Sequence, residues 1–578
     1  MASQEFDYNI TIGGQAGQGM QTLGNLLSRA FLNLGYSVST YLSYESRIRG
    51  GHNYFQVRIA SRPVHSMTRK IDLLIALDEN TILQHCPSMT SDGLVIYDAE
   101  TLKPADVCAR QLGLEVIKIS PETRQMEVLL NTLYLGVLTG VLNCPSEPVE
   151  RTLRSIFAVK GQGIVDKNVA VFREGLDFIR NGGTWFNAFS APAPPASGRY
   201  MPIQGNQAIA LAAVAANCKF YAAYPMTPST GILDAMAEFM ESSGAVVEQA
   251  EDEIAALNMA LGASYAGVRA MTGSSGGGFS LMVEALSLAG MIETPVVIAV
   301  GQRPGPATGL PTRTQQTELQ YVIHAGHGEF PRVVLAPGNV SECFTLTAHA
   351  FNLADRYQVP ALILTDQYIS DLYENTPKLI AGHVRVDRGK LAEAGADYLR
   401  YRFTPDGVSP RAFPGSGPGI VVADSDEHTE DGHLTEDLDV RKRMVEKRMA
   451  KNQGLIQEMI MPEIVGSGRD LGLVCWGSNL GVGKDAVTVL QSRGHRIALI
   501  HFKQLWPLDE PRIRGVLREF KRLVSFENNA DGQLAQLLRG IAEIPKDNRI
   551  LKYNGQPFFS DELIQRVERV IQTLGVMA

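Results

Sequence analysis

Paired cysteines are missing from this sequence. The six that occur (Cys86, Cys108, Cys144, Cys218, Cys343 and Cys475) are scattered singly, with no C-x-x-C among them. That excludes reading a zinc ribbon or a ferredoxin-type iron–sulfur cluster on this chain. Buried thiols in a reducing compartment are expected instead. Basic blocks are missing too. The net charge is −8 and no Lys/Arg run breaks it, which argues against a nucleic-acid partner. The opening "MASQEFDYN" carries no apolar stretch, so no signal peptide is read there. The most apolar run, "LLNTLYLGVLTGVLN", is too short and too polar to span a bilayer. A cytoplasmic protein without a membrane partner is the resulting expectation.

A phosphate-binding lysine is absent from the place that most invites one. "GGQAGQGMQTLG" follows the apolar run "YNITI" and leads into a helical pattern. Gly14 to Gly19 has Walker A spacing, but Met20 and Gln21 stand where Lys and Ser/Thr belong. The dinucleotide fingerprint also fails, because its third glycine position holds Thr22. What remains is either a tight strand-to-helix turn or an anion cradle made of backbone N–H groups.

At 578 residues, 45% of them apolar and 20% charged, the chain reads as a soluble protein of several domains, at about 150 residues each. Residues 1–187 alternate apolar runs ("YNITIGG", "DLLIALD", "GLVIYDA", "LEVIKIS") with helical patterns, the rhythm of a parallel α/β sheet. A Pro/Ala linker covers 188–199. A second α/β series spans 200–423, with strands expected at "KFYAAYP", "AVVEQA", "VRAMTG", "PVVIAVG", "RVVLAP" and "PALILTD". Residues 424–465 hold an acidic segment and a connecting helix, whose Val440, Met444, Val445, Met449, Ile456 and Ile460 recur at helical spacing. The stretch "HTEDGH", with His428 and His433, reads as a solvated acidic linker, since its two imidazoles lack metal-ligand spacing. A third α/β unit occupies 466–578, with strands at "LGLVCWG", "RIALIHF" and "RLVSFEN".

The second series carries the chemistry. "YAAYPMTPST" places Thr227 on a proline-stiffened loop at the carboxyl end of a strand, where α/β proteins bind ligands, with Ser229 as an expected cap for the next helix. Glu251, Asp252 and Glu253 open a helix, where the macrodipole favours negative charge. Glu253 is followed nine residues later by Gly262 of "GASYAG", a spacing shared with thiamine diphosphate enzymes, whose glutamate hydrogen-bonds the cofactor's aminopyrimidine. "TGSSGGGFS" is a Ser/Gly loop before another helix. In "GQRPGPATGLPTRTQQTEL", Arg303 follows a buried strand and could hold a carboxylate in two parallel bonds, with Thr308, Thr312 and Arg313 beyond it.

Taken together, "YPMTPST", "EDEIAALNMALGASYAG", "TGSSGGGFSLMVEALSLAG" and "RPGPATGLPTRTQQTEL" resemble the α subunit of 2-oxoacid:ferredoxin oxidoreductases. The first segment, with "GGQAGQG" and "ESRIRGGHNYFQVRI", resembles that family's γ subunit, and the last, with "FKQLWPLD", its transketolase-type C-terminal domain. The resemblance covers nearly the whole chain and is greatest to the 2-oxoglutarate type. It implies three α/β domains: a γ-type cover, a thiamine-diphosphate domain of the pyrimidine type and a transketolase C-terminal-like domain. It also implies reversible conversion of 2-oxoglutarate, CoA and two oxidised ferredoxins to succinyl-CoA, CO₂ and reduced ferredoxin. By the same resemblance, Glu253 would activate thiamine diphosphate, and Thr227, Arg303 and Thr312 would hold the 2-oxo acid. Gly13, Gly14, Gln15, Gly17 and Gly19 would face CoA phosphates, while Arg47, Arg49 and His52 would meet CoA or the distal carboxylate. Two departures are mild: Met226 replaces an isoleucine and Ala307 a serine of the family pattern.

No Gly-Asp-Gly with a distant Asn, the Mg²⁺–diphosphate motif of thiamine enzymes, is recognisable here. The chain is therefore read as half an active site, inactive alone. A β subunit would carry most of the thiamine diphosphate and Mg²⁺ contacts and the [4Fe–4S] cluster. Pyruvate or a branched 2-oxo acid as substrate, a nonredox thiamine enzyme, and a noncatalytic CoA-binding scaffold are the alternatives.

Overall fold

The computed structural model describes residues 6–47, 50–104, 109–182, 185, 189–191 and 200–575. Two compact units result. One comprises Met1–Ile203 with Asp371–Lys378 and Phe559–Leu563; the other holds Gln204–Ser370, Leu379–Phe558 and Ile564–Ala578.

The first unit is built on six strands: β1 (Asp7–Ala16), β2 (Ser37–Ser43), β3 (Gly50–Ala60), β4 (Ile71–Ala76), β5 (Met89–Asp98) and β6 (Arg110–Leu114), in the order β2-β3-β1-β4-β5-β6. From β1 to β6 the pairing is parallel, as the sequence rhythm predicts, but β2 and β3 add an antiparallel edge. The run "LEVIKIS" is also not a strand: β6 ends at Leu114 and Val116–Ile119 is a helical turn. A run that short fits either period, and its neighbours decide.

"LLNTLYLGVLTGVLN" forms the helix Leu130–Val141, which is buried nearly all round. It packs on Gln162–Gly182 at close range: a Cβ on Gly136 would sit 2.1 Å from Phe172 O. Its apolarity thus serves a protein core. No helix among the described residues is long and apolar enough to cross a membrane. Part of the presumed linker belongs to the same core, since Phe189 and Ala191 are buried and their N–H groups donate to Val141 O and Leu142 O. Residues 192–199 lie outside the described residues.

The second unit holds two sheets. The larger contains β7 (Cys218–Ala223), β8 (Val246–Gln249), β9 (Arg269–Ser275), β10 (Val296–Gln302), β11 (Val333–Leu335) and β12 (Pro360–Asp366). The smaller contains β13 (Glu463–Val465), β14 (Leu471–Trp476), β15 (Ile497–Phe502), β17 (Arg522–Glu527) and β18 (Arg549–Leu551). Between β15 and β17 the chain places β16 (Gln504–Trp506) antiparallel beside β11, so the larger sheet runs β16-β11-β12-β10-β9-β7-β8. Nearly all remaining pairs are parallel, and β9, β10 and β12 are buried at every residue. β10 and β12 accordingly read as near-continuous apolar runs in the sequence, whereas β9 carries polar residues although it is equally buried.

Cys144, Cys218, Cys343 and Cys475 form no disulfide and are buried, as expected. Burial pushes the Cys144 thiol up to about 11 and Cys218 to about 12. Cys86 departs from the expectation of free thiols, being disulfide-bonded; one sequence cannot say which thiols the fold brings together. Cys108 lies outside the described residues.

Candidate active site

Three adjacent parallel strands, β7, β9 and β10, end along one edge of the sheet, the edge where α/β proteins bind ligands. Glu253 is the first residue of the helix Glu253–Tyr265, but it does not cap that helix. Asp252 does, accepting from Ala255 N at 2.7 Å. Glu253 is left for another use. It is 3% exposed, and its Oε1 accepts from Ser274 Oγ, near the end of β9, at 3.0 Å. The glycine run explains how a carboxylate fits there. A Cβ on Gly278 would lie 2.2 Å from Glu253 Oε1 and 2.0 Å from Ser274 Oγ, so no larger residue could share the space.

Thr227 and Arg303 also meet. Arg303, buried just beyond β10, donates from Nη1 to the Thr227 carbonyl at 2.8 Å. The Thr227–Pro228 peptide is cis. Ser229 does not cap the following helix as predicted; its hydroxyl turns back to Met226 O at 2.9 Å. After Arg303 the loop folds on itself, Leu310 N bonding Pro304 O at 3.0 Å. Thr308 is exposed on it and Thr312 is buried just past it.

A second carboxylate lies beside these strand ends, and the sequence reading missed it. Glu318 packs against the same glycine turn, since a Cβ on Gly276 would lie 2.7 Å from Glu318 Oε1. Burial pushes its carboxyl up to about 7, against the lowering effects of Thr317 hydrogen bonds and the Arg303 charge. Within "RTQQTEL" no spacing distinguishes it from a solvated loop residue.

In the first unit, the glycine loop is mostly a packing device. A Cβ on Gly13 would meet the Thr81 side chain at 2.5 Å, and one on Gly14 would meet Gln18 Oε1 at 2.6 Å. Gly17 and Gly19 hold φ of 98° and 81°, and Gly19 opens the helix Met20–Leu34. Gln18 reaches back over the loop, its Oε1 accepting from Gln15 N at 2.7 Å and its Nε2 donating to Leu77 O at 3.1 Å. Two loop N–H groups, those of Gln15 and Gln18, are therefore already engaged; Gly17 has open space beside it.

Arg47 is exposed and pairs with Glu45 at 3.1 Å. His52 is not on a solvated basic loop. It is buried, with Nε2 2.9 Å from His85 Nε2. Burial first, then the neighbouring His52, pulls the His85 imidazole down to about 4. Arg49 lies outside the described residues.

The acidic segment is less solvated than predicted. His428 is fully buried against the Tyr401 ring, and Glu427 pairs with Arg441 and Arg448; His433 alone of the two imidazoles is exposed. A compact ligand-type group, Glu342, Glu463 and His501, occurs elsewhere in this unit. Lys503 Nζ already sits 2.6 and 2.5 Å from its two carboxylates and supplies the positive charge.

Comparison with known proteins shows the family. Residues 211–447 match the family described as "Pyruvate flavodoxin/ferredoxin oxidoreductase, thiamine diP-bdg", and residues 9–178 match "Pyruvate ferredoxin/flavodoxin oxidoreductase". The chain is 32% identical to the 2-oxoacid:ferredoxin oxidoreductase subunit alpha of a Sulfolobus species, across 97% of this chain and 96% of that one. It is 28% identical to the 2-oxoglutarate oxidoreductase subunit KorA of Mycobacterium tuberculosis, across 96% and 90%. Among solved structures, the 2-oxoglutarate:ferredoxin oxidoreductase from Magnetococcus marinus, with 2-oxoglutarate, coenzyme A and succinyl-CoA bound, superposes with a TM-score of 0.90 at 29% identity, covering 98% of this chain and all of that one. With two family matches over most of its length and an alpha-subunit relative that runs nearly end to end, the chain belongs to the 2-oxoacid:ferredoxin oxidoreductases, as an alpha-subunit member of that enzyme family.

Proposed function

We propose that this chain is the alpha subunit of an enzyme that reversibly converts 2-oxoglutarate, CoA and two oxidised ferredoxins to succinyl-CoA, CO₂ and two reduced ferredoxins. The observation that carries the reading is the buried Glu253 carboxylate, held by Ser274 beside a methyl-free turn, with Arg303 and Thr227 joined at the end of the next strands. The residues fit one half of thiamine diphosphate: an acceptor for its ring, with Gly262 open on the same helix. When bound, the cofactor supplies the nucleophilic carbon that adds to a 2-oxo group. The chain's own part is to hold a proton position at Glu253 Oε atoms and to orient the substrate carboxylate on Arg303. Thr227, clamped by Arg303 through its carbonyl, and Thr312 complete the substrate side.

The diphosphate, Mg²⁺ and [4Fe–4S] cluster belong in this reading to a β subunit. Support for a partner comes from Ile254 and Met259, exposed on the helix that begins with Glu253, and from exposed Leu281 after the glycine turn. Residues 1–187 would act as the γ-type cover, with Gly17, Arg47, Arg49 and His52 on the CoA side, 200–423 as the pyrimidine-type domain and 466–578 as the transketolase C-terminal-like domain. Use of ferredoxin and CoA fits action in the cytoplasm. The substrate choice follows the likeness to the 2-oxoglutarate enzymes.

The test is anaerobic dye reduction by the chain co-produced with its β subunit, supplied with CoA and a panel of 2-oxo acids. CoA-dependent reduction with 2-oxoglutarate well above pyruvate is expected, and none without the β subunit. Arg303→Lys should raise the KM for the 2-oxo acid by about ten- to a hundredfold, the worth of a lost hydrogen bond to a charged group. Preference for another 2-oxo acid would reassign the pocket. Turnover without any acceptor would support a nonredox enzyme, and ligand binding without turnover a scaffold.

A further inference from the structure

The glycine turn lies against two carboxylates. Gly278 lies against Glu253, whose Oε1 accepts from Ser274; Gly276 lies against Glu318, which is half satisfied. Glu318 Oε1 accepts from Thr317 Oγ1 at 2.9 Å, whereas Oε2 is shut off from solvent without a hydrogen-bond partner among the described residues. An ionised oxygen left like that is costly, while a protonated one is a donor awaiting an acceptor.

A cap role does not account for it. Glu318 precedes the helix Leu319–His324, yet its side chain makes no capping bond. Its backbone is fixed instead, its N–H donating to Gln302 Oε1 at 3.1 Å while Gln302 Nε2 donates to Thr365 O at 3.0 Å. Gln302 ends β10 immediately before Arg303. The charged group acting on Glu318 is thus Arg303, from the loop after β10; Thr317 and Gln302 are neutral.

We propose that Glu318 is a positioning residue of the 2-oxo acid site, kept as a neutral acid so that the positive charge of Arg303 remains available to the substrate carboxylate. This role rests on the function proposed above. An ionised Glu318 would compete with the substrate for Arg303. Conversely, a carboxylate bound at Arg303 cancels the charge that draws the Glu318 proton away, so substrate binding and protonation favour one another. With its carboxyl at about 7, Glu318 is neutral below neutrality and ionises above it.

Two measurements on the complex with the β subunit test this. Infrared spectroscopy should find a carboxylic-acid C=O band below pH 7 that disappears in Glu318→Gln, a readout that needs no turnover. If that variant fails to fold, Glu318→Asp, which should shift the same band, takes its place. Steady-state kinetics should show the KM for 2-oxoglutarate rising with pH above about 7, by up to roughly tenfold per unit for one linked proton, and Glu318→Gln should flatten that rise. A band unchanged by both substitutions, or a KM rise identical in Glu318→Gln, would overturn the role. Absence of turnover with every 2-oxo acid would overturn the proposed reaction and this role with it, even where the infrared band is found.

Discussion

Glu253→Gln should lower dye reduction by the complex by roughly 10²–10⁴-fold, the usual worth of a positioned acid–base group, while leaving the thermal midpoint unchanged. The amide has the volume of the carboxylate and its carbonyl can still accept from Ser274 Oγ, so the packing around residue 253 survives. What is lost is the ability to take and return a proton. Gly278→Ala should give a comparable loss by a different route, because its methyl would occupy space 2.2 Å from Glu253 Oε1 and 2.0 Å from Ser274 Oγ. Gly277→Ala is the matched folding control, since the nearest atoms to a Cβ there lie 3.8 Å away. Steady-state rates beside calorimetric midpoints decide the matter. A Glu253→Gln enzyme retaining more than about a tenth of the wild-type rate, far less than a general-acid effect, would remove Glu253 from its assigned role.

Glu293→Ala should cost about 3–5 kcal/mol, the penalty for breaking a buried ion pair from one side. Glu293, Lys447 and Lys451 each have side chains only 1% exposed, with both ammonium groups on the single carboxylate at 2.6 and 2.5 Å. Lys451 also donates to Gln358 O, and Arg400 to the Glu293 carbonyl. Removing the carboxylate leaves two buried cations beside Arg400 without their counter-charge. Scanning calorimetry of the complex should show the loss as a lowered midpoint. Replacing all three together by methionine should be close to neutral or stabilising, because the desolvation cost disappears along with the attraction.

The pH dependence has a definite sign. Burial raises the Glu293 carboxyl, but Lys447, Lys451 and Arg400 outweigh it and hold the group well below the usual carboxylate range. Its contribution is therefore present above the ordinary carboxylate value and is lost only as pH falls through the depressed one. Glu293→Gln should lower the midpoint above the ordinary carboxylate range, and its gap to the wild type should narrow as pH falls below that range.

That same cluster shows where sequence reading stops. A helix was predicted over "VRKRMVEKRMAKNQGLIQEMI", and Leu438–Gln457 is helical. The face is another matter. Of the apolar residues at helical spacing Met444 is inside, but Val440, Val445, Met449 and Ile456 are only partly buried, whereas Lys447, Arg448, Lys451 and Leu455 are inside. Hydrophobic periodicity assumes that charge avoids the core, and here a carboxylate 154 positions away reverses the rule. Glu318 escaped for a related reason: what distinguishes it is a glycine turn and an arginine brought alongside by the sheet. The three-residue strands β13, β16 and β18 escaped because a run that short has no period to read.

The sequence by itself determined the α/β class, the buried parallel strands and the family, along with Glu253, Thr227 and Arg303 as residues to examine. Those features are local: continuous apolar runs ended by chain-breaking residues, and motifs carried on single strand-to-helix turns. Only the tertiary structure decided that Arg303 grips Thr227 through its carbonyl, that Gly276 and Gly278 each back a carboxylate, and that a charged helix face turns inward. Each of these depends on contacts between residues far apart in the chain, where the energy of an ionised or hydrogen-bonding group is set by its neighbours rather than by its own identity.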